Sequence, residues 1–193
     1  MLPWLVARRS KERGNGYERR TYGLRTTTQM LTPEREAKID ELLSHYPVRQ
    51  SALLPILWVV QDELGWISMD AMRYVAKRIG ITPEQVREVV TFYSMYNDKP
   101  VGKFHLQVCC TTPCMIMGSD DIIGHIEQRL GVTRGHTTDD GLFTVSQVEC
   151  LGSCGTAPML QINREKFSEN LTNEKVDQLL DDLRARAKGN GNG

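Results

Sequence analysis

Four of the five cysteines stand in two close pairs, as in a metal or iron-sulfur site. Cys109 and Cys114 form the first pair, Cys150 and Cys154 form the second, and 35 residues separate the pairs. A tetrahedral zinc ion needs four donors on one ion, whereas a 2Fe-2S cluster needs two thiolates on each of its two irons. The thiols therefore predict zinc or an iron-sulfur cluster, and their spacing leaves both open.

The alternatives without a metal are a redox disulfide and buried structural thiols. No Cys-x-x-Cys motif occurs, and an odd number of cysteines suits a disulfide framework poorly. The fifth thiol, Cys110, directly follows Cys109, so that either of the two can pair with Cys114. Spacing alone does not choose between them.

The charge balance argues against a nucleic-acid-binding protein. The 193 residues carry 24 basic and 24 acidic side chains and a net charge of zero, whereas nucleic-acid binders present a basic surface. A neutral chain has little protection against association, which suits a subunit of a larger assembly. No apolar run approaches the roughly 20 residues of a membrane-spanning helix, so we expect no direct membrane insertion.

Both ends of the chain differ in composition from the rest. We predict a basic flexible arm at residues 1–30 and a disordered tail at residues 187–193. The alternative for the arm is a mitochondrial presequence, although Glu12, Glu18 and the break at Gly14–Gly16 favour the arm. The basic side chains of the arm are Arg8, Arg9, Lys11, Arg13, Arg19, Arg20 and Arg25.

Residues 31–97 predict a small bundle of four helices. Their predicted N-caps are Thr32, Ser51, Ser68 and Thr82. Thr82 and Gln85 have the spacing of a capping box. The second helix is apolar on all sides, so we expect it at the centre of the bundle. Trp66 and Tyr93 are expected in the core, and Tyr96 is left between core and partner-facing.

After residue 98 the hydrophobic period changes from 3.6 to 2. Strands are predicted at 104–108, 142–148 and 159–162, with helices capped by Ser119 and Thr172. Each thiol pair follows a strand, so the two loops can converge on one site. The predicted fold class is α+β: a small N-terminal helical bundle, followed by a thioredoxin-like α/β domain at residues 98–186.

The segments around the thiols are similar to those of a known family. Together with three helical segments, they resemble the small 2Fe-2S subunit of NADH:quinone oxidoreductase, respiratory complex I, over residues 31–185. The segments that carry the resemblance are Val108–Cys114, Val148–Asn163, Gln50–Pro55, Gly65–Ser68 and Thr91–Tyr96. In that family the residue after the first ligand is usually not cysteine, so Cys109 takes the ligand position and Cys110 is the departure.

The resemblance implies a cofactor, a role and partners. It implies that the thioredoxin-like domain is a ferredoxin domain with one 2Fe-2S cluster, held by Cys109, Cys114, Cys150 and Cys154. This cluster is expected to exchange an electron with FMN in a partner subunit during NADH:quinone oxidoreduction. The expected partners are the FMN- and NADH-binding subunit and a neighbouring iron-sulfur subunit. No Gly-x-Gly-x-x-Gly motif follows a strand, so we expect no NADH-binding or hydride-transfer site on this chain.

Two other functions stay open from the sequence. The same module occurs in NAD-linked hydrogenases and formate dehydrogenases, and a zinc-binding structural assembly module is the alternative from a different class. The expected location is the peripheral arm of a membrane complex, on the cytoplasmic face of the bacterial inner membrane. If the basic arm is a presequence, the location is instead the matrix side of the mitochondrial inner membrane.

Several residues around the thiols have expected roles. Hydrogen bonds to cysteine sulfur are expected from the N–H groups of Gly152, Ser153 and Gly155 and the hydroxyls of Thr111 and Thr112. The four histidines, at positions 45, 105, 125 and 136, are expected not to be ligands. Thioredoxin-like proteins carry a cis-proline before a strand beside the active site, which makes cis an even alternative to trans for Pro158.

Overall fold

The N-terminal half of the described chain is a bundle of four helices. The computed structural model describes residues 30–189, so the basic arm and the end of the predicted tail lie outside the described residues. The helices are α1 Pro33–Ser44, α2 Leu53–Leu64, α3 Met69–Ile79 and α4 Pro83–Phe92. All four correspond to predicted helices.

Side-chain hydrogen bonds confirm two of the predicted helix starts. The Ser68 hydroxyl accepts a 3.1 Å hydrogen bond from the backbone N–H of Ala71, which satisfies one of the free amides at the start of α3. Thr82 and Gln85 form the reciprocal capping box of α4. Local sequence therefore sets where these two helices begin.

The prediction that Ser51 caps the second helix is wrong. Ser51 lies inside a 3-10 turn, Arg49–Ala52, and α2 begins only at Leu53. Pro55 is then the third residue of α2, where the missing N–H costs no regular helical hydrogen bond. The 3-10 turn takes the place of a side-chain cap.

Helix α2 is the centre of the helical core, as predicted. Ile56, Leu57 and Val60 are fully buried, and side chains of α1, α3 and α4 pack around them. Tyr96 joins this core with 5% of its surface exposed. Its hydroxyl donates a 2.9 Å hydrogen bond to the Leu54 carbonyl. Tyr96, for which the sequence left core and partner-facing positions open, is therefore a core residue.

The expectation for Tyr93 is wrong, because the helix ends before it. Tyr93 is 38% exposed. Its backbone is extended (φ −92°, ψ 110°), one residue beyond the end of α4 at Phe92. The helical register that places Val86 and Val90 in the core therefore does not extend to Tyr93. Trp66, also expected in the core, is half-buried.

The C-terminal half is built around a four-stranded sheet of order β2-β1-β3-β4. Strands β1 and β2 are parallel, whereas β1 with β3 and β3 with β4 are antiparallel. Three of the strands were predicted, and the short β4 was not. The strands are β1 Phe104–Cys109, β2 Phe143–Val148, β3 Leu160–Ile162 and β4 Lys166–Ser168.

Three helices accompany the sheet: α5 Thr112–Ile116, α6 Ser119–Leu130 and α7 Asn173–Gly189. The predicted cap Thr172 is confirmed, since its hydroxyl accepts the N–H of Lys175 at 3.3 Å. The prediction that Ser119 is the N-cap of α6 is wrong. Gly118, in the left-handed conformation (φ 92°), holds that position instead, as glycine does most easily. Among residues 30–189, no helix is both long and apolar enough to cross a membrane.

The period of two along β1 directs its side chains to opposite faces of the sheet. Leu106 and Val108 are fully buried in a core shared with α6 and α7. His105, Gln107 and Cys109 alternate with them and point to the other face. Cys109 therefore leaves the main core and belongs to a small separate cluster at the end of the sheet.

Candidate metal centre

The first thiol pair lies where β1 runs into α5. Cys109 is the last residue of β1, and its N–H donates a 3.1 Å hydrogen bond to the Met159 carbonyl at the start of the neighbouring chain segment. Cys114 lies in the short helix α5. The two thiols are 2% and 1% exposed and lie close enough to shift each other's pKa. This pair is the buried side of the site.

The second thiol pair lies on the loop that follows β2. The sulfurs of Cys150 and Cys154 are 3.7 Å apart, and both residues are exposed. Gly152 makes the turn between them in the left-handed conformation (φ 83°), which glycine adopts without steric cost. Its N–H donates to the Cys150 sulfur at 3.4 Å. This pair is the solvent-facing side of the site.

The two loops influence each other's thiols. The Thr111 hydroxyl of the first loop lies 3.5 Å from the Cys109 sulfur, and its hydrogen bonding also lowers the pKa of Cys150 in the second loop. In the opposite direction, hydrogen bonding from the Leu151 backbone N–H lowers the pKa of Cys109. The structure thus brings all four predicted ligands to one end of the sheet.

Within the buried pair, the pKa values of the two thiols are shifted in opposite directions. Burial raises the pKa of Cys109, but hydrogen bonds from Thr111 and Leu151 outweigh burial and hold this pKa below its ordinary value. Burial and the hydrogen bond with Cys109 raise the pKa of Cys114 to about 11. Cys114 is thus the S–H donor and Cys109 the acceptor.

The exposed pair has the same asymmetry. Hydrogen bonds from the Gly152 N–H, from Cys154 and from the Thr111 hydroxyl lower the pKa of Cys150. The hydrogen bond to Cys150 raises the pKa of Cys154. Each pair thus offers one sulfur that is prepared for deprotonation, which a thiolate ligand requires.

The fifth thiol points away from the other four. Cys110 packs against the core between the sheet and α6, and its S–H donates to the Val108 carbonyl at 3.5 Å. Burial raises the pKa of Cys110. Successive side chains at the end of a strand face opposite sides of the sheet. Cys109 therefore faces the other thiols and Cys110 does not, a choice that the spacing in the sequence left open.

The donors are arranged as two pairs. Among residues 30–189, no group of three or more histidine, cysteine, aspartate or glutamate side chains is placed to hold one metal ion. Three of the four described histidines have other contacts: His105 with Ser146, His125 with Asp177 and His136 with Thr133. Two pairs of thiols match the ligand set of a 2Fe-2S cluster, which takes two thiolates on each iron.

Sequence reasoning found some of the hydrogen bonds to sulfur and missed others. Thr111 and Gly152 donate to sulfur as expected. Within residues 30–189, no such bond is formed by Ser153, Gly155 or Thr112. The Leu151 N–H was missed, because its direction depends on the turn at Gly152. The Ala157–Pro158 peptide bond is cis.

A thioredoxin-type sheet with two thiol pairs at the carboxyl ends of its parallel strands defines a class of protein, the thioredoxin-like ferredoxins. The chain belongs to this family, since the family model "Thioredoxin-like [2Fe-2S] ferredoxin" matches residues 39–184. This match confirms the α+β fold class and the iron-sulfur family to which the sequence was compared.

Several curated relatives are subunits of respiratory NADH dehydrogenases. NADH-quinone oxidoreductase subunit 2 of Thermus thermophilus is 42% identical over 149 residues, which are 76% of this chain and 82% of that protein. An NADH-quinone oxidoreductase subunit of Rickettsia felis is 44% identical over 146 residues, 74% of this chain and 87% of that protein. These relatives confirm the resemblance to the small subunit.

The fold of this chain is also similar to that of part of a larger solved structure. The crystal structure of the NAD+-reducing [NiFe]-hydrogenase in the H2-reduced state matches 81% of this chain with a TM-score of 0.55. The identity is 16%, and the chain spans 23% of the hydrogenase chain. At this identity the match concerns the fold alone.

Proposed function

We propose that this chain is an electron-transfer subunit of the NADH dehydrogenase module of NADH:quinone oxidoreductase, with one 2Fe-2S cluster that exchanges an electron with FMN in a partner subunit. The observation that carries the proposal is the meeting of the two thiol pairs at one end of the sheet. Relatives named as subunits of NADH-quinone oxidoreductase support the assignment to that enzyme.

The proposed ligands are Cys109, Cys114, Cys150 and Cys154. When bound, the cluster takes up and releases one electron. The chain supplies two thiolates from the buried pair and two from the exposed pair, so each of the four thiols must be deprotonated when it binds the cluster. Thr111, Leu151 and Gly152 then direct hydrogen bonds at sulfur, which favour the more negative, reduced charge state.

We propose that NADH and FMN are bound by a partner subunit and not by this chain. A phosphate-binding Gly-x-Gly-x-x-Gly turn after a strand is missing from the sequence. Beside Cys114, an apolar patch is exposed: Met115, Ile116 and Met117 have 52%, 74% and 59% of their surfaces accessible. Exposed apolar patches mark interaction surfaces, so the Met115–Met117 patch supports docking of the flavin subunit next to the cluster.

For the location, we propose the peripheral arm of the complex, on the cytoplasmic face of a bacterial inner membrane. The partners there are the flavin subunit and a neighbouring iron-sulfur subunit. Association with subunits suits a chain without net charge.

The proposal is tested by the metal content and the spectrum of the anaerobically purified protein. We expect about two irons and two acid-labile sulfides per chain, with a spin-half EPR signal after dithionite reduction. Replacing any of the four proposed ligands by serine should reduce the signal strongly. Cys110→Ala is the matched control and should keep it. Stoichiometric zinc without a signal, after iron-replete expression, contradicts the proposal.

A further inference from the structure

A carboxylate from the far side of the sheet reaches the loop of the exposed thiol pair. Glu169 follows β4, and its Oε1 accepts hydrogen bonds from the hydroxyls of Ser153 and Thr156, the latter at 2.7 Å. Ser153 directly precedes Cys154, and Thr156 ends the 3-10 turn Cys154–Thr156. One carboxylate oxygen therefore holds both ends of the turn that presents Cys154.

Backbone hydrogen bonds fix the segment from which Glu169 reaches this turn. The N–H of Asn170 donates to the Thr156 carbonyl at 2.7 Å, and the N–H of Leu171 donates to the Pro158 carbonyl at 2.9 Å. Leu171 is 5% exposed and anchored in the core. The Glu169 side chain is exposed, but the backbone that follows it is therefore held against the sheet domain.

We propose that Glu169 is a positioning residue for the cluster, which holds the Cys154 turn in its ligating conformation; this inference rests on the proposed function. Hydrogen bonds to an ionised carboxylate are about twice as strong as those between neutral groups. The exposed loop has few buried apolar contacts to order it. Hydrogen bonds between Ser153 and Thr156 close the turn itself, and the two bonds to Glu169 fix this closed turn to the segment that follows β4.

The carboxylate also adds a fixed negative charge beside the site. Reduction makes a cluster more negative, so a neighbouring carboxylate disfavours the reduced form. Glu169→Gln keeps an oxygen acceptor for the hydroxyls but removes the charge, whereas Glu169→Ala removes both. The two variants therefore separate positioning from charge.

The test measures the reduction potential by EPR-monitored titration and the amide hydrogen exchange of residues 150–156. In Glu169→Ala we expect at least threefold faster exchange in this segment and faster loss of iron to a chelator. In Glu169→Gln we expect exchange between the rates of the parent and of Glu169→Ala, because the amide oxygen accepts the same two bonds without the added strength of a charge. The reduction potential of Glu169→Gln should rise by at least about 28 mV. This corresponds to a threefold change in the ratio of reduced to oxidised cluster, at 59 mV per tenfold.

Glu165→Gln is the matched control, because it removes one exposed carboxylate from the turn between β3 and β4. Within residues 30–189, the Glu165 side chain makes no hydrogen bond to the loop. A double-mutant cycle of Glu169→Ala with Thr156→Val should be non-additive, since both changes break the same bond.

Two results overturn the inference. One is exchange at residues 150–156 in Glu169→Ala that matches Glu165→Gln, even if the potential moves, because the carboxylate then acts by charge alone. The other is an additive double-mutant cycle. A parent protein without a reducible cluster contradicts the proposed function instead, and hydrogen exchange then still tests whether Glu169 holds the loop.

Discussion

At the scale of single residues, hydrogen bonding at sulfur links the thiols of the two loops. Thr111 contacts sulfurs of both pairs, and the Leu151 N–H crosses from the second loop to Cys109. The sequence could name Thr111, because a hydroxyl two residues from a ligand lies within reach in most loop conformations. It could not name the Leu151 N–H, whose direction is set by the backbone alone.

Thr111→Val should lower the reduction potential by about 20–60 mV, since one hydrogen bond contributes about 0.5–1.5 kcal/mol and a tenfold change corresponds to 59 mV. The lost bond no longer stabilises the more negative, reduced state. EPR-monitored redox titration measures the shift. Thr112→Val is the control, because Thr112 is the adjacent exposed threonine. Equal potentials for both variants would show that the Thr111 hydroxyl has no electronic role.

His105 makes the stability of the protein depend on pH. Burial, and secondarily the charge of Arg164, lower the pKa of His105 to about 4; its Nε2 lies 2.8 Å from the Ser146 hydroxyl. An unfolded histidine has a pKa near 6.5, so the unfolded state binds more protons between these values. The free energy of unfolding should fall by about 3 kcal/mol as pH decreases from 6.5 to 4, with full stability retained above 6.5.

Urea unfolding at several pH values measures this dependence. His105→Gln removes the titrating group and should give a flatter profile over the same pH range. The difference between the two profiles isolates His105 from the carboxylates that titrate nearby. Parallel profiles for parent and variant would contradict the assignment.

At the scale of elements, predictions succeeded where a side chain caps a helix and failed for very short elements and for helix starts that the backbone itself forms. The Ser68 cap and the Thr82 capping box are local hydrogen bonds and were predicted correctly. Helix α5 and strand β4 have 5 and 3 residues, too few to show a hydrophobic period, and were missed. Ser51 and Ser119 have the right residue type for a cap, but a 3-10 turn and Gly118 take those positions.

Helix α2 offers a test of the helical bundle alone. Leu57→Asp places a charge at a fully buried position and should lower the free energy of unfolding on the order of 4 kcal/mol. Chemical denaturation followed by circular dichroism measures the loss. Phe92→Asp, at a position that is 80% exposed, is the control and should change stability little. A Leu57→Asp protein as stable as the parent would refute the central position of α2.

At the scale of the whole molecule, an arginine connects the helical and α/β parts. Arg164, at the turn between β3 and β4, stacks its guanidinium 3.8 Å from the ring centre of Trp58 and pairs with Asp62 at 3.2 Å. Both partners lie on α2, while Arg164 is on the sheet that carries the thiols. The proposed division into a bundle at 31–97 and an α/β domain at 98–186 thus includes a defined contact between the two.

The proposed docking surface gives the prediction that concerns the assembled complex. Ile116→Glu changes the most exposed residue of the Met115–Met117 patch. If the flavin subunit buries this side chain, its apolar contribution of about 1.5–3 kcal/mol is lost, so the affinity should fall at least tenfold. Val48→Glu is the matched control, since Val48 is also exposed (61%) but lies in the helical part.

Affinity for the purified flavin subunit is measured by titration calorimetry, with the EPR signal of each variant recorded first. An unchanged signal in Ile116→Glu shows that the cluster site is intact, so that weaker binding reports the surface. Because Ile116 lies two residues after Cys114, a partner that covers it also lies beside the buried thiol pair. Parent-like affinity in Ile116→Glu would show that the flavin subunit does not dock on the Met115–Met117 patch and must bind another face of this chain.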